Sequence, residues 1–258
     1  MTNNPKSKIQ NPKSLEDTKL FQDLAARYFL EDYQGQQGFS DMGQLLRAAK
    51  RAGLERDKVG LDLACGNGRP GLFIIRRLRC HLAGLDLSAE ALAIGQHRAE
   101  RYALQDYVKY QQADLNQPLP FAAETFDGAI GVEQFDEQAR NLENLYREVW
   151  RVLKPGGGFA FYFRVSTQPD TPWSRPPAEH SALLQKAGFS QTESFDVTWE
   201  FGALLARMQR AYEEKGVLDK LRATLGPDLA DSLYNEVQEL HNQLNAGGLQ
   251  RYLFSAKK

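Results

Sequence analysis

The sequence predicts an α/β fold, a mostly parallel sheet with helices on both faces. Three observations predict it. From Lys58 onward, short apolar runs alternate with segments of helical period, the pattern of strands joined by right-handed crossovers. The stretch Val59–Gly71, VGLDLACGNGRPG, runs from a strand through a glycine turn into a helix, with Pro70 suited to the first helical turn. The next apolar run ends in GLDLS at 84–88, which sets Asp86 at the carboxyl end of a second strand. Open parallel sheets bind their ligands at that end.

The elements follow in order. Residues 1–14 are polar, contain Pro5 and Pro12, and predict a disordered arm. A helix starts after Ser14 with Leu20, Phe21 and Leu24 on one face. It reaches Tyr28, Phe29 and Tyr33 before Gly35 and Gly38 break it. Ser40 or Asp41 caps a second helix carrying Leu45, Leu46 and Ala49, which Gly53 stops. Strand one is 58–64, and its helix turns Leu72, Phe73, Ile75 and Leu78 to the sheet. Strand two is 81–86, and Ser88 caps the helix after it. Strands three and four are 107–112 and 126–132. A helix then shows Leu142, Leu145 and Val149 at spacings of three and four. Lys154–Gly158, KPGGG, turns into strand five at 159–165. A helix at 178–187 ends at Gly188, strand six is 190–199, and the apolar run 250–256 is strand seven.

Residues 200–248 form a helical insertion before that last strand. Phe201, Leu204, Leu205, Met208 and Tyr212 keep helical spacing, as do Leu229, Leu233, Val237, Leu240 and Leu244, with Gly226-Pro227 breaking the segment. An amphipathic insertion must bury its face. It does so either as a cap or substrate wall over the site or as a dimer contact, so the chain is expected as a monomer or homodimer.

Composition narrows the partners. The chain has 258 residues, 42% hydrophobic and 25% charged, and a net charge of −1. That is ordinary for a soluble globular protein, with no global field to hold nucleic acid or an anionic membrane. No apolar run approaches the ~20 residues of a membrane span. The start, MTNNPKSKIQ, lacks the apolar core of a signal peptide, so a cytoplasmic protein is expected. Cys65 and Cys80 are the only cysteines, and two give neither a metal site nor a disulfide framework. Cys65 reads as a small residue filling the glycine turn. Arg76, Arg77 and Arg79 read as a solvated helix face rather than a nucleic-acid patch.

A strand, a glycine turn and a helix N-terminus make a place where backbone N–H groups meet a ligand. Two cofactor readings compete there. Gly66, Gly68 and Gly71 spell G-x-G-x-x-G, and Asp86 lies about 20 residues past Gly66, the spacing of a dinucleotide fingerprint. Against this stands Asp62, a carboxylate just before the turn, which would repel a pyrophosphate and attract an ammonium or sulfonium.

Asp62–Arg69, DLACGNGR, resembles the first motif of the class I, seven-stranded Rossmann-like S-adenosylmethionine-dependent methyltransferases. GLDLS at 84–88 resembles their second motif. Ala113-Asp114-Leu115, Phe126-Asp127 opening strand four, and Leu153-Lys154-Pro155-Gly156 before strand five follow in register. The resemblance spans roughly residues 40–200 and the last strand, and departs at Ala64, where the family often has glycine. It implies S-adenosyl-L-methionine as cofactor and S-adenosyl-L-homocysteine as product. Asp62, Ala64, Cys65, Gly66, Asn67 and Gly68 would surround the methionine portion. Asp86 and Leu87 would take the ribose, and Ala113, Asp114 and Leu115 the adenine edge. Glu133 and Gln134, after strand four, would line the methyl-transfer channel. The N-terminal helices, 15–53, would lie over the cofactor, with Tyr28, Tyr33 and Gln37 touching cofactor or substrate; core packing explains the aromatics equally well.

Methyl transfer from a sulfonium needs orientation and a dry site more than a strong base. Glu133 and His180 are the candidate bases. His180 sits at a helix start, where a histidine is more often a cap. Arg164, late in strand five, meets either an acidic substrate group or a surface carboxylate. Trp199, with Tyr162, Trp173, Phe201 and Tyr212, forms either an aromatic substrate wall or, equally well for any one of them, part of the core. The D/N-P-P-Y/F signature of base-amine methylation is absent, since strand four leads into Gly131-Val132-Glu133-Gln134-Phe135. A small-molecule acceptor, methylated at oxygen, nitrogen or carbon, is therefore expected. The rivals are an NAD-dependent oxidoreductase and a non-catalytic S-adenosylmethionine-binding module.

Overall fold

The computed structural model describes residues 39–132, 141–167 and 175–258. Helix α1 (Met42–Arg51) starts on a capping box: the Asp41 carboxylate accepts from Gln44 N, and the Gln44 side chain accepts from Asp41 N. Strand β1 (Val59–Leu63) feeds the glycine turn and α2 (Arg69–Leu78). Then come β2 (His81–Asp86), α3 (Ala89–Arg101), β3 (Val108–Gln112), β4 (Phe126–Gly131) and α4 (Leu142–Val152). They are followed by β5 (Leu153–Ser166), α5 (Pro177–Lys186) and β6 (Ser190–Asp196). Helices α6 (Thr198–Glu213), α7 (Val217–Leu225) and α8 (Pro227–Asn245) precede β7 (Leu249–Lys257).

The seven strands make one sheet in the order β3-β2-β1-β4-β5-β7-β6. The first five pair in parallel, and β7 runs antiparallel between β5 and β6. The expected α/β sheet is therefore present, and a helical layer covers each face. On β5 the alternation of a strand sorts Phe159, Phe161, Phe163 and Val165 onto one face with Leu145, Val149 and Leu184. Ala160 and Tyr162 join the other face with Leu45, Leu72, Ile75 and Ala99.

Three local expectations change. Strand β5 begins at Leu153, directly off α4, because Leu153 pairs with Phe126 before a register shift absorbs the glycine-rich stretch. Strand β6 stops at Asp196, whose carboxylate accepts from Thr198 N and turns the chain into α6. Trp199 thus sits on a helix rather than a strand. The insertion holds three helices where the spacing suggested two. Its apolar faces meet one another and Phe39 and Leu249, so it packs beside the carboxyl end of β5, where Ser166 pairs with Leu249.

Candidate functional site

The ends of β1, β2 and β3 are tied together around Asp86. Its Oδ2 accepts from Gly66 N at 2.9 Å and its Oδ1 from Ser88 N at 2.9 Å. Cys65 N donates to Leu85 O, and Ala113 N donates to Asp86 O. The turn itself runs through three left-handed residues: Ala64 (φ 54), Gly66 (φ 55) and Gly68 (φ 74). Gly68 then caps α2, so helix N–H groups open beside the turn. A Cβ on Gly68 would stand 2.0 Å from the Tyr110 hydroxyl, so glycine is required there for packing as well as for φ. Tyr110, from β3, also lies within 3.0 Å of a Cβ placed on Gly84 or Gly95, and its ring forms the floor of the turn.

Two buried carboxylates flank this turn, Asp62 at 3% exposure and Asp86 at 5%. Burial, reinforced by the charge of Asp86, raises the Asp62 pKa to about 7. Two like charges here without a cation are costly. The arrangement suits a ligand that brings positive charge to Asp62 and hydroxyl donors to Asp86, whose oxygens each retain accepting capacity. Burial, with Asp62 and Asp86 beside it, also pushes the Cys65 thiol well up, so Cys65 is an inert filler of the turn.

The other expected site residues divide. Leu87 is 54% exposed beside Asp86, and Ala113 and Asp114 are half-buried at the end of β3. Asp114 accepts from Asn116 N and Asn116 Nδ2 in an Asx turn. Leu115 is a correction: its side chain is 3% exposed and packs in the core, so only its backbone can line a ligand. His180 is a second correction. It lies fully buried among Phe161, Phe163 and Phe254, with Nδ1 2.9 Å from the Tyr146 hydroxyl. Burial, helped by the charge of Arg175, lowers its pKa to about 3, so it is a neutral core histidine and no base near pH 7. Trp199 is a third, standing 83% exposed on the first turn of α6 and packed into none of the apolar clusters of the described residues. Its expected companions Tyr162 and Phe201 are buried in two different clusters. Arg164 is half-buried, its guanidinium 5.8 Å from the Phe39 ring. Tyr28, Tyr33, Gln37, Glu133, Gln134 and Trp173 lie outside the described residues.

Sequence reasoning missed Arg98 and Tyr110 behind the turn and Arg251 under the insertion. Each is a polar residue on an otherwise ordinary amphipathic element, and nothing local marks it. Among the described residues no cluster of His, Cys, Asp and Glu could hold a metal ion, and no helix is long and apolar enough to cross a membrane.

Comparison with known proteins fits this geometry. Residues 61–157 match the family model described as a methyltransferase domain. The chain is 35% identical over 119 residues to the sterol 24-C-methyltransferase ERG6 of Saccharomyces cerevisiae, covering 46% of this chain and 30% of that protein. The chain thus spans about a third of the length of the curated relatives it matches. Haemonchus contortus phosphoethanolamine N-methyltransferase 2, solved with S-adenosyl-L-methionine, shares the fold at a TM-score of 0.77 and 18% identity, covering 95% of this chain and 58% of that one. The [4+2]-cyclase SpnF shares it at 0.69 and 20% identity, covering 95% and 94%.

Proposed function

We propose that this class I methyltransferase domain binds S-adenosylmethionine and transfers its methyl group to a small-molecule acceptor. The observation that carries the reading is the pair of buried carboxylates, Asp62 and Asp86, on either side of a glycine turn. When bound, the cofactor supplies an activated methyl on a sulfonium with a good leaving group. Asp62 holds the cationic amino-acid end, Asp86 orients the ribose diol, and Leu87 and Asp114 border the adenine. The turn fixes their relative positions, which is most of what an in-line displacement asks of a protein. The insertion stands beside the carboxyl end of the sheet, where it forms one wall of the acceptor space. A partly apolar acceptor suits the chain's near-zero net charge and is in keeping with the names of its relatives. Their match covers less than half of this chain, so the acceptor is not inherited from them.

The NAD reading fares worse on topology. Dinucleotide folds keep a parallel order 3-2-1-4-5-6, whereas here an antiparallel β7 intervenes between β5 and β6. Calorimetric titration with S-adenosylmethionine, S-adenosylhomocysteine and NAD decides: binding of the first two alone is expected, and binding of NAD alone overturns the reading. A neighbour named as a cyclase makes the second step necessary, a search for acceptors with labelled methyl groups. Binding without any transfer would favour a non-catalytic or non-methylating protein. Glu133→Gln is expected to lower turnover more than cofactor affinity. An unchanged turnover removes Glu133 from the reaction.

A further inference from the structure

We infer that Arg98 is a positioning residue for the cofactor, acting through the carbonyl of Asn67 to lock the glycine turn. This rests on the cofactor reading above and names how the site is held.

The peptide between Asn67 and Gly68 is free to rotate unless it is held, because Gly68 lies in the left-handed region and carries no Cβ. Both of its polar ends are held. Gly68 N donates to Cys65 O at 3.0 Å, and Asn67 O accepts from Arg98 Nη1 at 2.6 Å. The donor comes from α3, 31 residues further along the chain, and Arg98 is only 7% exposed. Helix α3 leans directly on the turn, since a Cβ on Gly95 would lie 3.2 Å from Asn67 O and 3.0 Å from Tyr110 Cζ.

A guanidinium is an expensive filler for that place. Burial lowers its pKa, which says that the charge is held against a desolvation cost, and Arg101 adds to that cost. A methionine or leucine would fill the same volume on the helix without it. What the guanidinium adds is a charged hydrogen bond to a backbone carbonyl, directed away from the ligand face. With Asn67 O held by Arg98 and Gly68 N held by Cys65 O, the peptide is fixed at both ends, and the turn keeps one backbone shape beside the amino-acid end of the cofactor. The hydrogen bond from Arg98 ends on Asn67 O, at the amino-acid side of the turn, whereas the adenosine end rests on Asp86 and the end of β3. The effect of Arg98 should therefore depend on which part of the ligand is present.

The test uses Arg98→Met and Arg98→Lys in the full chain, with S-adenosylhomocysteine and 5′-methylthioadenosine as calorimetric probes. The second probe lacks the amino-acid end. Arg98→Met is expected to weaken S-adenosylhomocysteine by about tenfold or more, the scale of a charged hydrogen bond. Methylthioadenosine should stay within about threefold, on the same scale, and Arg98→Lys should recover most of the loss. Hydrogen exchange supplies a readout without ligand: the amides of residues 66–68 should exchange faster in Arg98→Met while those of β1 and β2 do not. Equal loss for both probes, loss of fold in both variants, or unchanged affinity with unchanged exchange overturns the inference in favour of plain packing. Failure of the wild type to bind either probe is a different result, for it overturns the cofactor reading and this inference with it.

Discussion

Asp62 carries the most informative charge in the chain. Its folded pKa, about 7, lies above the usual carboxylate value because burial and Asp86 disfavour ionisation. The sign follows from linkage. A raised acid contributes its stability at low pH, and loses it as pH rises through about 7. The ligand-free protein should therefore lose melting temperature as pH rises from about 4 to about 7 and level off above that, and Asp62→Asn should remove that slope and gain up to a few kcal/mol at pH 8. Cofactor affinity should move the other way. A cationic ligand prefers ionised Asp62, so binding should weaken as pH falls below 7, with proton release visible in buffers of different ionisation heat. Ala64 makes a second residue-scale prediction. With φ at 54 it occupies a conformation costly for a residue with a Cβ, so Ala64→Gly should raise stability by up to about 1 kcal/mol in thermal unfolding. His180 shows the opposite shift. A base held near 3 favours the folded state above its unfolded pKa of about 6.5 and costs stability as pH falls toward 3.

At the scale of elements, the insertion is fastened by one buried cation. Arg251 on β7 is fully buried, and Nη1 donates to Phe39 O and Gln44 Oε1 while Nη2 donates to Ser40 Oγ. Its guanidinium also stacks 4.5 Å from Tyr162 and 5.2 Å from Phe201, the latter on α6. Gln44 in turn donates to Glu200 on α6, and Arg47 pairs with the same carboxylate at 2.8 Å. One side chain thus joins α1, α6, β5 and β7. Arg251→Met leaves buried oxygens without their donor and should cost about 3 kcal/mol or more. Limited proteolysis should then cut within 200–248 before the core, whereas cutting spread evenly over the chain would deny Arg251 this fastening role.

At the scale of the molecule, the apolar stripes of α6 and α8 close on each other and on Phe39 and Leu249, and α7 closes on Tyr212 and Ala230. Among the described residues, these stripes are covered within the chain itself. Light scattering at micromolar concentration should give the mass of one chain, 29.1 kDa, and a dimer would return the insertion to the role of an interface. The sequence by itself determined the alternation of strand and helix, the turn between Asp62 and Gly71, and the place of Asp86, because each is written in neighbouring residues whose period and turn chemistry act locally. Only the tertiary structure decided that Tyr110 floors the turn, that Arg98 braces it, that His180 faces the aromatic core rather than a cleft, and that Arg251 is buried. Those outcomes depend on how a helix is rotated and which strand lies beside it. Such contacts join residues 31 to 212 positions apart, and the cost of burying a charge is set by what the fold brings to meet it rather than by its neighbours in sequence.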